Sequence, residues 1–95
     1  MSDVIAGAVQ KLQEKLPEGF DGTAKFEIEG EGAIMVDRDG VRAGDGDAAV
    51  TLTADEVTFR EMIDGDLDPT AAFMGGRLKI EGDMGQAMKL GTALS

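Results

Sequence analysis

The chain contains neither cysteine nor histidine. The first absence excludes disulfides, thiolate chemistry and cysteine-based zinc sites. The second removes the commonest general base and the commonest transition-metal ligand. Tryptophan and tyrosine are missing too, so stacking on bases or sugar rings would fall to four phenylalanines. The two serines, Ser2 and Ser95, sit at the ends with no histidine to complete a triad. Basic residues are scarce, nine against nineteen acidic ones, for a net charge of −10. Phosphate backbones require a basic surface, so no nucleic-acid partner is expected. The same balance argues against strong binding to anionic membranes, and otherwise serves solubility.

Long apolar runs are also absent. No stretch approaches the roughly 18 residues of a membrane span. The opening "MSDVIAGAVQ" has no basic n-region, and the closing "ALS" matches no address signal, so a cytoplasmic protein is expected. The oligomeric state is not legible. At 95 residues the chain is expected to form a single domain, 1–95. A domain this small buries about two thirds of its unfolded surface, so any internal cavity would take a large share of its core.

What is present is strongly patterned. In "SDVIAGAVQKLQEKL", Val4, Ile5, Ala8, Val9, Leu12 and Leu16 recur at helical spacing. Ser2 or Asp3 can cap this helix, and Pro17 with Gly19 stops it. Ala24, Phe26 and Ile28 alternate with Lys25, Glu27 and Glu29, a half-buried strand. Ile34 and Val36 alternate with Met35 and Asp37 in a second, and Asp39-Gly40 offers a hairpin turn into a third over Val41 to Ala43. "AVTLT" is a fourth, with Val50 and Leu52 pointing one way. Strands polar on one face only imply a sheet solvated on that side, hence mostly antiparallel, with helices on the other. "TADEVTFREMIDG" reads as a helix with a capping box of Thr53 and Glu56, an apolar stripe of Val57, Phe59, Met62 and Ile63, and Gly65 at its end. Asp68 and Pro69 open a two-turn helix that Gly75 and Gly76 close. "RLKIEG" is a fifth strand with Leu78 and Ile80 inward. Asp83 and Gln86 box the last helix, with Met84, Ala87, Met88, Gly91 and Leu94 along one side.

Three familiar motifs fail. "DGDLDP" spaces Asp64, Asp66 and Asp68 like the first ligands of an EF-hand, but Pro69 and Gly75 stand where its Gly and bidentate Glu belong. Cap and turn roles explain these aspartates better. "GDGD" resembles part of a calcium-binding glycine repeat but occurs once. "MGGR" completes neither a P-loop nor a dinucleotide fingerprint. No catalytic residue and no metal ligand can be assigned.

The stretch "GDLDPTAAFMGGRLKIEGDMGQAMKL" resembles the signature region of the sterol carrier protein type two family. The resemblance rests on Gly65, Leu67, Asp68, Pro69, Ala72, Phe73, Met74, Gly76, Arg77, Leu78, Lys79, Ile80, Gly82 and Asp83 at the family's spacing. Upstream, "DAAVTLTADEVTFREMI" is similar to the strand and helix that precede that signature, and residues 1–45 match by pattern. The resemblance implies an α/β (α+β) sandwich, in which a five-stranded, mostly antiparallel sheet is covered on one face by helices with an apolar tunnel between the layers. It implies non-catalytic binding and carriage of a fatty acid, acyl-CoA, sterol-like lipid or phospholipid, with no metal or redox cofactor. Arg77 stands where the family usually has lysine. The sequence ends at Ser95 without the extension and targeting signal of the eukaryotic members, so a bacterial-type, stand-alone version is expected.

The residues agree with that implication. Methionine is flexible and polarisable and re-packs around different guests. Phe59, Met62, Ile63, Phe73, Met74, Met84, Ala87 and Met88 sit on elements that would close over Leu78 and Ile80, as a packed core or as the wall of a lipid cavity. Arg77, Lys79 and Lys89 are the cations near the signature, as head-group ligands or as solvated residues. An empty pocket of about 300 Å³ at about 24 cal/mol per Å³ would cost roughly 7 kcal/mol, which rivals a small domain's whole stability. A rigid dry cavity is therefore not expected; a guest, water or helix collapse would fill it. The alternatives are an interaction domain that has reduced or lost its cavity, and an accessory domain for an enzyme that metabolises lipid or acyl-CoA.

Overall fold

The computed structural model describes residues 3–94. Helix α1 (Asp3–Lys15) leads into β1 (Ala24–Ile28), β2 (Gly32–Asp37), β3 (Gly40–Ala43) and β4 (Val50–Ala54). Helices α2 (Glu56–Ile63) and α3 (Pro69–Met74), strand β5 (Lys79–Gly82) and helix α4 (Met84–Leu94) follow. The proposed cap at Ser2 lies outside the described residues.

The five strands form one sheet in the order β3-β2-β1-β4-β5. β1 pairs with β4 in parallel, and the other three pairings are antiparallel. The registers carry period-2 alternation across the whole sheet. Ala43, Ile34, Phe26, Leu52 and Ile80 stand side by side in one row, and Val41, Val36, Ala24, Val50 and Gly82 in another. Both rows face the helices, and their side chains are buried except at the edges, where Ala43 and Ile80 are half-buried and Gly82 is exposed. α1 lies over β2 and β3, and α4 over β4 and β5. Phe26 and Phe59 meet edge to face at 5.2 Å between centroids, fixing α2 over the sheet centre.

Four local expectations shift. Met35 is buried although it stands on the polar face, because the segment before β4 folds across it; its methyl group lies beside Gly46. Lys25 joins Asp45 of the same segment at 2.8 Å. The β2–β3 hairpin pivots on Arg38-Asp39, one residue earlier than Asp39-Gly40, because Asp37 pairs with Gly40. The cap of α2 is Asp55, whose carboxylate accepts from the Thr58 N–H at 2.7 Å, and not the Thr53–Glu56 box. With that cap the buried stripe becomes Thr58, Phe59, Met62 and Ile63, and Val57 turns outward. Burial of Thr58 is tolerated because its hydroxyl accepts from Arg77 Nε at 3.2 Å.

The α3 signals hold. Asp68 caps it, accepting from the Ala71 N–H at 3.2 Å, with Pro69 at its first position. Gly76, at φ +79°, lets the chain reverse so that the Arg77 and Leu78 N–H groups both donate to Ala72 O, at 2.9 and 3.1 Å. Gly75 is right-handed helical and needs no such freedom.

Candidate functional site

Burial along α4 divides the helix by side. Ala87, Leu90 and Leu94 pack into the core. Met84 and Met88, with Gly91 one turn further on, lie on a neighbouring side that the core does not cover. Across from them α3 turns Phe73 and Met74 outward. Exposures of 41% for Phe73, 81% for Met74, 46% for Met84 and 74% for Met88 are high for side chains of this kind.

These residues wall a groove of about 520 Å³ between α3, α4 and the β4–β5 half of the sheet. Leu52, Leu78 and Ile80 form its apolar floor, and Pro69, Gly91, Asp68, Thr70 and Thr92 complete it. The groove opens to solvent. Beneath α1 and α2, by contrast, the interior is filled by Ile5, Leu12, Phe26, Ile34, Val36 and Phe59. The unfilled space thus lies to one side of the domain, under α3 and α4, and not along the whole helix–sheet interface.

The ten apolar residues grouped by sequence therefore divide. Phe73, Met74, Leu78, Ile80, Met84, Ala87 and Met88 come together in the groove. Phe59, Met62 and Ile63 are buried in the core, and Phe59 and Ile63 border a separate, smaller cleft of about 210 Å³ between α1 and α2. Leu52, Asp68, Pro69, Thr70, Gly91 and Thr92 line the groove without having been singled out as binding residues. Leu52 was accessible by alternation, since it stands opposite Ile80. The others depend on how α3 and α4 cross: a Cβ built on Gly91 would meet Pro69 at 3.8 Å.

None of the three cations stands in the groove wall. Arg77 binds Thr58 Oγ1 and Glu61 Oε2, each at 3.2 Å, and so ties α2 to the start of β5. Lys79 stands opposite Thr53, which hydrogen-bonds Glu27, on the solvated face of the sheet. Lys89 reaches from α4 to Asp21, 3.4 Å from both its backbone oxygen and its carboxylate. The adjacent Arg38 and then Lys89 hold the Asp21 carboxyl below its ordinary range.

Among the described residues no three acidic side chains converge on a possible metal site. Asp64 is engaged by Lys11 and Asp68 by its own helix. No helix among them is long and apolar enough to cross a membrane.

An α+β sandwich with one solvated sheet face and an oily groove under its last two helices defines the class of the chain. The profile of the SCP-2 sterol transfer family matches residues 5–95, and the chain belongs to that family. The chain is 37% identical over 98 residues to hydroxysteroid dehydrogenase-like protein 2 of Danio rerio, a match that covers 95% of this chain and 23% of the relative. It is 34% identical over 91 residues to the Homo sapiens protein of that name, covering 95% of this chain and 21% of the relative. The chain thus spans about a quarter or less of these relatives' length. The fold superposes on the solution structure of Aedes aegypti sterol carrier protein-2 in complex with palmitate at a TM-score of 0.79. There the identity is 18%, covering 100% of this chain and 97% of that one.

Proposed function

We propose that this domain binds a single-chain or similarly slender lipid in the α3–α4 groove and carries or presents it without catalysing its conversion. The observation that carries this reading is the exposure of Phe73, Met74, Met84 and Met88 around the Leu78–Ile80 floor. A domain gains nothing in stability from four large apolar side chains facing water, but a guest chain would bury them. Each buried methylene contributes about 0.8 kcal/mol, so about ten would supply roughly 8 kcal/mol before the cost of association. Methionine on both walls lets the groove adapt to guests of different width. The palmitate held by the Aedes aegypti protein of the same fold supports a fatty-chain guest here.

Native mass spectrometry of gently purified protein tests this directly. A mass increment of a few hundred daltons, lost on delipidation and extractable into organic solvent, is expected. Protein that travels only at its apo mass, and whose melting temperature does not respond to saturating fatty ligands, would refute it.

A second reading is favoured by the curated relatives, where the matching segment is a minor part of a hydroxysteroid dehydrogenase-like protein. In it the domain is an accessory that presents lipid to an oxidoreductase or another lipid-metabolising enzyme. Co-purification of such an enzyme, with its activity on dispersed lipid raised by adding the domain, supports this reading; activity indifferent to the domain opposes it.

A further inference from the structure

The two edges of the sheet are finished differently. At one edge the Gly44 N–H donates to Ala33 O at 3.0 Å. Gly40 and Arg42 of β3 therefore turn their backbone groups to β2, and Val41 and Ala43 turn theirs outward. Gln13 of α1 closes that edge, its amide donating to Val41 O at 3.0 Å. At the other edge, Ala54 O accepts from the Glu29 N–H at 3.0 Å, and the Asp83 N–H donates to Ala49 O at 2.8 Å. Both bonds set the same alternation. Thr51 and Thr53 bond with Glu81 and Lys79, while Ile80 and Gly82 present their N–H and C=O groups away from β4. Among the described residues nothing bonds to those outward groups. Ile80 is half-buried, and Lys79, Glu81 and Gly82 are exposed. Lys79 and Glu81 share the solvated face, and neither has an ion-pair partner among the described residues.

We propose that β5 pairs antiparallel with β5 of a second copy of this chain, about a twofold axis at Ile80, joining two sheets edge to edge. Ile80 then exchanges both backbone bonds with its counterpart, and Lys79 of each copy faces Glu81 of the other. Those facing residues form a non-hydrogen-bonded pair, the closer kind, with Cα atoms about 4.5 Å apart. Charge selects this register. Outward groups must meet outward groups, so the neighbouring registers set Ile80 opposite Leu78 or Gly82. The first puts Lys79 against Lys79 and the second Glu81 against Glu81, both repulsive. A short charged edge ordinarily keeps strands apart. Here opposite charges two residues apart make the edge complementary to itself. The Leu78 N–H is already given to Ala72 O, which confines the pairing to the middle of β5, and two chains of net charge −10 repel. The dimer is therefore weak, with a Kd of about 0.1 mM. Ile80 also belongs to the floor of the α3–α4 groove, so pairing sets two groove floors side by side on the helix-covered face.

Sedimentation equilibrium of the full chain from about 0.01 to about 1 mM tests this, with amide exchange of Ile80 measured at both ends of that range. The mass should rise toward twice the monomer's, and the Ile80 N–H should gain protection at the upper end. Lys79→Glu and Glu81→Lys each make both facing pairs alike in charge, and each should weaken association at least about tenfold. Overall repulsion alone predicts the opposite for Glu81→Lys, which lowers the net negative charge. The double variant Lys79→Glu/Glu81→Lys restores both pairs at unchanged net charge and should associate within about threefold of the parent. The two single variants, mixed in equal amounts, should pair with each other. A parent that stays monomeric, single variants that associate as it does, or a double variant that fails to recover would overturn the proposal. Should a variant unfold, the parent's Ile80 exchange decides, and protection indifferent to concentration overturns it. The proposal stands apart from the lipid reading, whose own tests its failure would leave untouched.

Discussion

Gln86 Oε1 accepts a hydrogen bond from the Thr23 backbone N–H at 3.0 Å, joining the first turn of α4 to the segment before β1. The contact is close enough to fix a neighbour: a Cβ on Gly22, at φ +146°, would sit 2.4 Å from the same oxygen. Lys89 adds its contacts to Asp21 one turn later. α4 is thus pinned by one side while Met84, Met88 and Gly91 on another side line the groove. This is how a helix can border an unfilled space and remain in place without a guest.

Removing that pin should loosen the wall selectively. Gln86→Ala leaves the Thr23 N–H unpaired and is expected to cost about 1–2 kcal/mol. For a domain of this size that corresponds to a melting temperature lower by about 4–8 °C per kcal/mol. Amide exchange should accelerate through residues 84–94 and stay unchanged in α1. Uniform acceleration over the whole chain would show that α4 is not a separately anchored element.

Gly82 ends an inward row of the sheet at φ +107°, where a Cβ would lie 2.3 Å from the Ala49 carbonyl oxygen. No side chain fits without moving β4 from β5. Gly82→Ala should therefore cost at least about 2 kcal/mol, through strain and the lost pairing. Gly91→Ala has ordinary contact room beside Pro69 and gains helix propensity, so it should raise the melting temperature. A chemical-denaturation series on both variants checks the contrast in sign.

Acid sensitivity follows from four carboxylates. Asp21 is held low first by its hydrogen bond from Arg38, Asp37 by Arg42, Asp45 by Lys25, and Asp55 by the Thr58 N–H. A carboxylate whose folded pKa is depressed stabilises the fold above its unfolded value, and that contribution disappears as pH falls through the folded one. Stability from these groups is therefore full at neutral pH and is lost from about pH 4 downward. Neutralising the acidic excess acts in the opposite direction by relieving repulsion, so the informative quantity is a difference. Asp55→Asn should lose less melting temperature than the parent between pH 5 and pH 3. Parallel curves would show that the α2 cap does not titrate as described.

Most of the architecture was legible because it follows from local periodicity. Phe26 and Ile28, or Val50 and Leu52, can alternate in only one way across a half-solvated sheet, and Asp68-Pro69 and Gly76 mark their helix ends through backbone requirements visible in the chain. Met35 and Val57 were misread and Thr58 was passed over: the burial of Met35 and Thr58 depends on contacts distant in sequence, with the segment around Gly46 and the side chain of Arg77, and the outward turn of Val57 on α2 being capped at Asp55 and not at Thr53. The groove was legible in part for the same reason. Phe73 and Met74 on α3 are separated from Met84 and Met88 on α4 by the short strand β5 alone, so their proximity could be anticipated. Phe59, Met62 and Ile63 belong to equally apolar positions, and the packing of α2 over the sheet, Phe59 against Phe26, decides that they are core. Charge gave least. Nothing in the spacing of Arg77 and Lys89 reveals that Glu61 and Asp21 already engage them.

Exposed and buried methionines should respond differently to charge. Met74→Glu and Met88→Glu change side chains that are 81% and 74% exposed, so they should melt near the parent temperature. They should also lose the ligand-induced rise, which for a ligand at about 100 times its Kd is worth about 2.7 kcal/mol. Met62→Glu places a charge where the side chain is 2% exposed and should unfold the domain. Full ligand stabilisation in the first two variants would move the binding surface away from α3 and α4.

The most direct measurement is paramagnetic broadening of methyl resonances by a spin-labelled fatty alcohol. Met74, Met84, Met88, Leu78 and Ile80 should broaden at low ligand excess, while Val4, Ala8 and Ile63, which line the α1–α2 cleft, stay sharp. Broadening confined to the α1–α2 cleft, or none at any methyl, would contradict the claim that the space between α3, α4 and the sheet is completed by a lipid.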